Sequence, residues 1–311
     1  MDALSEILRT IKFRGAVYFR TDFASPWGMD IDISPFAQFH MVVRGHCWLQ
    51  IKGAKEPLEL SAGDIVVFPH GHAHCLADDL AHPRLPGRQI MQAICNNEPV
   101  FKGKHVSTTL VCGHFEFDRS VDHPFLQALP EFIYLADSDH RELTWLETAT
   151  NVIIQETSSG NPGADVVVER LAEVLFIRIL RTYIQRAQVT SGFLAALGDA
   201  QISNALNLIH KKPEASWTLA NIARTVGMSR SAFAARFKKL VSMTAMDYIT
   251  NWRMQKACEL LENTRLPLID IAERVGYNSE AAFNRAFKRR LKQNPGAMRR
   301  ILLAKGNKLV K

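Results

Sequence analysis

The stretch LANIARTVGMSRSAFAARFKK, Leu219 to Lys239, returns near the C-terminus as LIDIAERVGYNSEAAFNRAFKR, Leu268 to Arg289. Leu219, Ile222, Ala223, Val226 and Gly227 recur 49 positions later as Leu268, Ile271, Ala272, Val275 and Gly276. After a one-residue insertion at Asn278, Ser229, Ala232, Phe233, Phe237 and Lys238 recur 50 positions later as Ser279, Ala282, Phe283, Phe287 and Lys288. A repeated unit sets the architecture of a chain, because both copies must fold into the same supersecondary motif. In each copy the leading apolar residues fall at helical spacing and make a short amphipathic helix. A glycine follows where the chain must turn sharply, and a serine then caps a second helix. The motif is a helix-turn-helix, present twice.

The paired phenylalanines of each second helix, Phe233/Phe237 and Phe283/Phe287, pack back on the first helix. That leaves Arg230, Ser231, Ala234, Ala235 and Lys238 outward in one copy, and Glu280, Ala281, Asn284, Arg285 and Lys288 in the other. Arginine matches the acceptor edge of guanine and asparagine the edge of adenine, so the second set suits a DNA major groove. The plainer alternative is two helical hairpins with solvated charge, and the duplication with matched glycines speaks against it. Charge agrees. Residues 201–311 hold 21 Lys+Arg against 7 Asp+Glu, a net +14, whereas residues 1–200 carry −7. A basic third on an acidic body is the footprint of nucleic-acid binding. Lys288, Arg289, Arg290, Lys292, Arg299 and Arg300 would neutralise phosphates. A membrane surface is disfavoured, because the apolar residues here are consumed by the hairpin cores.

Between the copies, MDYITNWRMQKACELLENTRLP has a helical apolar pattern that Pro267 ends. About 18 helical residues span ~27 Å, near the ~34 Å between successive major grooves. At these residues the chain resembles the AraC/XylS-type bacterial transcriptional regulators. The likeness covers residues 201–303, through both hairpins, "WRMQKACELL", "IAERVGY" and "AFKRRLKQNP". It implies base contacts at Ser231, Ala234 and Ala235, all small, so copy one should read sequence weakly, with Arg230 contributing. Glu280, Asn284 and Arg285 should make copy two the more discriminating. There are departures: the family's glycine after each second helix is Ser242 and Lys292 here, its following proline is Ala245 in copy one, and its late tyrosine is Met298.

The N-terminal half reads as short alternating strands separated by Gly, Pro and Asp turn signals. Gly63 to His74 fits the second motif of the cupins, small β-barrels that hold ligands or metals in their mouths. The first cupin motif is poorly matched: Gln38 stands where its carboxylate belongs, and no histidine lies between Ile31 and Ser34. The usual iron or manganese set is therefore not expected. A different set is available in His40, His74, Cys112 and His114, whose nitrogen and sulfur ligands would suit tetrahedral zinc. The alternative is that these residues line a barrel that receives an organic effector, or nothing. His70 and His72 lie in a loop and read as solvated.

After Ser158–Gly163, the helix ADVVVERLAEVLFIRILRTYIQR carries apolar residues on a broad face. Val168, Leu171, Leu175 and Ile179 on it would serve either a second subunit or the core of the sensor. Five cysteines without an export leader point to reduced thiols in the cytoplasm, and no apolar run reaches membrane-spanning length. The expected fold class is α+β: a cupin-like β-barrel sensor over 1–158, a helical linker and dimerisation segment over 164–200, and an all-α domain with two helix-turn-helix motifs over 201–303. The whole chain resembles the cupin-sensor subgroup of the family. That likeness implies a sequence-specific DNA-binding regulator, an activator or a repressor, controlled by a small-molecule effector, homodimeric, with RNA polymerase as a further partner. The rivals are a cupin oxygenase or isomerase with a DNA-binding tail, and an architectural DNA-binding protein whose sensor is dead. The missing iron ligands count against the first.

Overall fold

The computed structural model describes residues 2–11, 13–96, 98–117, 123–136, 148–149, 151–153, 155–156, 160–186 and 191–306. The chain divides into two compact units. One holds Met1–Lys12, Arg119–Ala128 and Gln188–Lys311, the other Phe13–Asp118 and Leu129–Ala187. This differs from the boundaries at 158, 164 and 201 that composition marks.

In the helical unit, α1 (Ala3–Thr10) buries Ile7 and Leu8, and α3 (Pro124–Gln127) buries Phe125. Helix α1 packs on the helices Ala200–Lys211 and Ala245–Asn263 of this unit, and the Phe125 ring meets Phe193, so two stretches that precede and follow strands in sequence join the helical core. Next come α5 (Gly192–Gly198) and α6 (Ala200–Lys211). The first hairpin is α7 (Leu219–Thr225) and α8 (Arg230–Val241), and the second is α10 (Leu268–Arg274) and α11 (Glu280–Leu291). Between them runs α9 (Ala245–Asn263), whose 19 residues extend about 28 Å. The last helix is α12 (Pro295–Gly306).

The sequence repeat is a structural repeat down to single bonds. Ser229 and Ser279 accept hydrogen bonds from the Ala232 and Ala282 amides, each at 3.2 Å. The turns close with Met228 N–H on the Ala223 carbonyl (2.9 Å) and Tyr277 N–H on the Ala272 carbonyl (2.8 Å). Gly227 and Gly276 sit at φ +71° and +82°, where a side chain would be strained. Phe233/Phe237 and Phe283/Phe287 are fully buried, with ring centroids 5.5 Å apart in both copies.

The other unit is built on two five-stranded sheets. Its strands are β1 (Arg14–Ala24), β2 (Gly28–Ile31), β3 (Ala37–Arg44), β4 (His46–Ile51), β5 (Leu58–Ser61), β6 (Ile65–Phe68), β7 (His74–Ala77), β8 (Leu85–Pro86), β9 (Val106–Glu116) and β10 (Ile133–Leu135). One sheet has the order β1-β9-β3-β6-β10, the other β5-β4-β7-β2-β8. The unit also holds the helices α2 (Gly87–Cys95) and α4 (Ala164–Arg186). Helix α4 packs on β1 so closely that a Cβ on Gly15 would sit 2.6 Å from Ala172 Cβ. Its Phe176 ring meets Phe13, Phe115 and Phe117.

That packing corrects the reading of Val168, Leu171, Leu175 and Ile179 as a surface for a second subunit. Val168, Leu175 and Ile179 are buried inside their own unit and Leu171 is half-buried, because the sheet covers this side of the helix. What α4 leaves exposed is Val166, Val167 and Val174, at 56%, 40% and 46%. Of the expected linker, Ser158 and Ser159 lie outside the described residues.

Candidate nucleic-acid interface and ligand cavity

Each second helix turns one face to solvent. On α8, Arg230, Ser231, Ala235 and Lys238 are exposed and Ala234 is half-buried. On α11, Ala281, Arg285 and Lys288 are exposed, whereas Glu280 and Asn284 are half-buried and bonded to each other, Asn284 Nδ2 to Glu280 Oε1 at 3.5 Å. Two basic residues assigned to phosphates from sequence are already engaged. Arg290 ion-pairs with Asp247 at 2.8 Å, and Arg299 donates to the Leu266 carbonyl. Arg289, Lys292 and Arg300 remain exposed. A further structural cation is Arg236, whose Nε lies 2.7 Å from Asp199 Oδ2 while the other carboxylate oxygen caps α6. In copy two, Arg253 on α9 donates to the Pro213 and Ala215 carbonyls at 2.7 and 2.8 Å and lies over the Tyr277 ring. The turn of that hairpin is thus braced by the linker helix.

Sequence spacing missed one buried polar group in this unit. The Phe125 amide donates to His123 Nδ1 at 3.1 Å, which makes that nitrogen the bare acceptor. His123 Nε2–H therefore donates to Tyr248 Oη (3.3 Å), and the phenol donates on to His210 Nε2 (2.7 Å). Burial pulls the His123 ring down to about 3 and holds His210 low as well, so both stay neutral. These residues lie 125 and 38 positions apart, and no local pattern marks them.

In the sheet unit, a cavity of about 490 Å³ opens beneath α2. Its apolar wall includes Phe19, Met29, Ile90 and Met91, and its polar wall Tyr18, Gln38, His40 and Cys112. Asp30, Asp32 and Arg88 also line it, and Arg84 holds Asp30 at 2.9 Å.

The sequence-proposed ligands are placed as follows. His40 Nδ1 is 3.0 Å from Cys112 Sγ, and His40 Nε2 is 2.8 Å from His74 Nε2. His74 Nδ1 lies 2.7 Å from the His72 carbonyl, which can only accept. His74 must therefore carry its proton on Nδ1 and accept on Nε2, and His40 must donate from Nε2 and accept the Cys112 S–H on Nδ1. Electrostatics agree. Burial pulls His74 down to about 4 and His40 well below its ordinary value, while it pushes the Cys112 thiol well up. The result is a neutral, one-directional chain of hydrogen bonds.

This arrangement does not hold zinc. The two nitrogens of His40 face opposite ways, so Cys112 and His74 cannot converge with it on one ion. His114 shares a strand face with Cys112, but its Nε2 bonds Glu116 at 3.1 Å and its ring stacks on Tyr18. Among the described residues no group of three His, Cys, Asp or Glu side chains is disposed to bind a metal. Sharing a strand face is a weaker condition than meeting at a point. His70, read as solvated, bonds the Leu129 carbonyl at 2.9 Å.

Comparison with known proteins places both units. The cupin family profile matches residues 2–185, and a helix-turn-helix domain profile matches 222–301. A putative AraC-like transcription regulator of Streptomyces antibioticus is 33% identical over 96% of this chain and 99% of its own length. The chain belongs to the AraC-like transcription regulators. It is a DNA-binding regulator with an N-terminal cupin domain, and not an enzyme. The regulator AlkR of Acinetobacter baylyi is 29% identical over 95% of this chain and 98% of its own. Among solved structures, the DNA-binding domain of AdpA in complex with a target DNA aligns with 34% of this chain and 96% of that one, at 25% identity and a TM-score of 0.33. No described helix is long and apolar enough to cross a membrane.

Proposed function

We propose that this regulator binds DNA sequence-specifically and that a small organic molecule in the cupin cavity controls it. The observation that carries the second half is the cavity itself, about 490 Å³ of partly apolar space in the non-DNA-binding unit. That volume lies within the usual range of small-molecule sites. For the first half, α8 and α11 are the recognition helices. On α8, Arg230, Ser231, Ala234, Ala235 and Lys238 face the groove, with Arg230 and Lys238 holding phosphate. On α11, Arg285 reads guanine, Asn284 reads adenine once Glu280 releases it, Ala281 permits close approach and Lys288 meets the backbone. Copy two is the more discriminating because its groove face carries side chains with directional donors.

Two copies of the chain associate through Val166, Val167 and Val174 of α4. Exposed apolar residues on one helix are a poor surface to leave in water. Pairing would also place four hairpins on one DNA duplex and raise affinity through effective concentration. The decisive experiment selects DNA from a random pool with the full chain and then measures binding to the selected and scrambled duplexes, with and without candidate effectors. Regulation requires an effector with different affinity for the DNA-bound and free states. Equal affinity for selected and scrambled DNA would refute the specific reading, and effector binding that leaves DNA affinity unchanged would refute control through the cavity.

A further inference from the structure

Cys112 on β9 stands directly opposite His40 of β3 on one side and Phe19 of β1 on the other, so the three side chains share one sheet face. All three line the cavity, and Cys112 and His40 keep 2% and 5% of their surface open. The thiol proton is directed at His40 Nδ1, 3.0 Å from the sulfur. A thiol bonded to a neutral imidazole is a nucleophile with its base in place, because the ring takes the proton as the sulfur attacks. Behind His40, His74 Nε2 receives the His40 Nε2–H at 2.8 Å, and the His72 carbonyl holds His74 in turn. A proton arriving on His40 Nδ1 is thereby shared along the chain rather than left on one ring.

From this geometry we propose that Cys112 is the nucleophile of a covalent ligand site, and that its ligand is a small apolar α,β-unsaturated carbonyl compound. Cys112 Sγ bonds to the β-carbon while the carbon–carbon π pair moves towards the carbonyl. The thiol proton passes to His40 Nδ1 and from there to the α-carbon of the enolate. The product is a thioether that keeps every atom of thiol and enone, with no external oxidant or reductant. Phe19, Met29, Ile90 and Met91 receive the apolar body. Tyr18 in the same wall keeps its proton, since burial and the Glu116 carboxylate raise its phenol to about 12, and it offers a donor where enolate charge develops. Burial makes protonated His40 a strong acid, so the ring returns the proton instead of holding it. Burial also keeps Cys112 as the thiol, so reaction waits for a molecule held beside it in the cavity. The proposal rests on the cavity admitting a small molecule, as the functional reading requires.

The test treats the full chain at neutral pH with 1-octen-3-one, or with acrylamide, and follows each cysteine by peptide mass mapping. Cys95, exposed at the end of α2 and outside the cavity wall, is the internal reference. The Cys112-to-Cys95 rate ratio should be at least about tenfold higher with octenone than with acrylamide, because only the apolar reagent is concentrated beside the thiol. Saturated octan-3-one, which binds without reacting, should protect Cys112 and leave Cys95 unprotected. Neither comparison needs a variant. His40→Gln, checked for folding by its thermal transition, removes the base and should slow Cys112 about a hundredfold with Cys95 unchanged. Equal ratios for the two reagents, or Cys112 alkylation that octan-3-one does not slow, would overturn the proposal. An unchanged Cys112 rate in folded His40→Gln would do the same. A Cys112 adduct that leaves affinity for the selected DNA unchanged would uphold the covalent site and remove control through the cavity. Octan-3-one that shifts DNA affinity, with Cys112 left unmodified by octenone, would overturn the covalent site and leave that control in place.

Discussion

Replacing Ser242 and Lys292 with glycine should stabilise the helical unit, singly and together. Each residue ends a recognition helix in the left-handed region, at φ +61° and +58°, and donates its amide to the carbonyl four residues back at 3.0 Å. An L-residue in that conformation costs roughly 1–2 kcal/mol from the Cβ clash, which glycine escapes. Glycine gives back part of this, about 0.5–1 kcal/mol, through the larger entropy of its unfolded chain. The net gain is about 0.5–1 kcal/mol per site. For a unit near 150 residues that is a rise of about 1–4 °C in Tm, and the two should add because they lie in separate hairpins. Ser242→Ala and Lys292→Ala keep the clash and should give no such rise, and Ser242→Val should lower Tm. The assay is thermal unfolding of the full chain followed by helical circular dichroism. If neither glycine variant raises Tm while the alanine variants match them, the left-handed caps are not strained and the reasoning fails. Lys292→Gly should in addition weaken DNA binding evenly across sequences, because it removes one exposed cation.

Arg285→Ala should cost about 1–3 kcal/mol of binding to the selected DNA and relax preference at one base pair, measured by competition against single-base variants. Log affinity should also fall with log salt with a slope of several units, and a flat salt titration would contradict phosphate contact. Below neutrality the fold should weaken: His74 takes up its proton near 6.5 when unfolded and near 4 when folded, so its stability is intact above 6.5. As pH falls from 6.5 towards 4, about 1.4 kcal/mol should be lost per pH unit, and His123 adds a like term in the helical unit. Urea midpoints that stay level from pH 7.5 to 5 would refute this. Val174→Glu should shift the light-scattering mass towards the monomer without changing Tm, whereas Leu175→Glu, at a buried position, should unfold the sheet unit.

What the sequence made legible was local. The hairpins follow from features within about twenty residues of one another: apolar spacing, a turn glycine, a capping serine and a pair of phenylalanines. Each of these is decided by backbone sterics and short-range burial. The cupin strands were legible for the same reason, through their alternation and turn residues. The broad apolar face of α4 was legible, but sequence left open whether a second subunit or the sensor's own sheet would cover it. The answer turned on Gly15, whose missing side chain lets Ala172 approach β1. Where the two units divide was hidden as well, since nothing in the sequence of α1 or α3 announces that it packs with helices.

The site shows the limit most plainly. Residue type and strand parity grouped His40, His74, Cys112 and His114 and left zinc and an organic effector both open, and the geometry does not offer the zinc arrangement. Parity constrains a direction, whereas metal ligation requires four lone pairs aimed at one point about 2 Å away. What decides against it is the His72 carbonyl, which obliges His74 to keep a proton on Nδ1 and so sets the tautomer of His40 beyond it. A backbone acceptor two residues away in sequence thus reaches Cys112 through two rings.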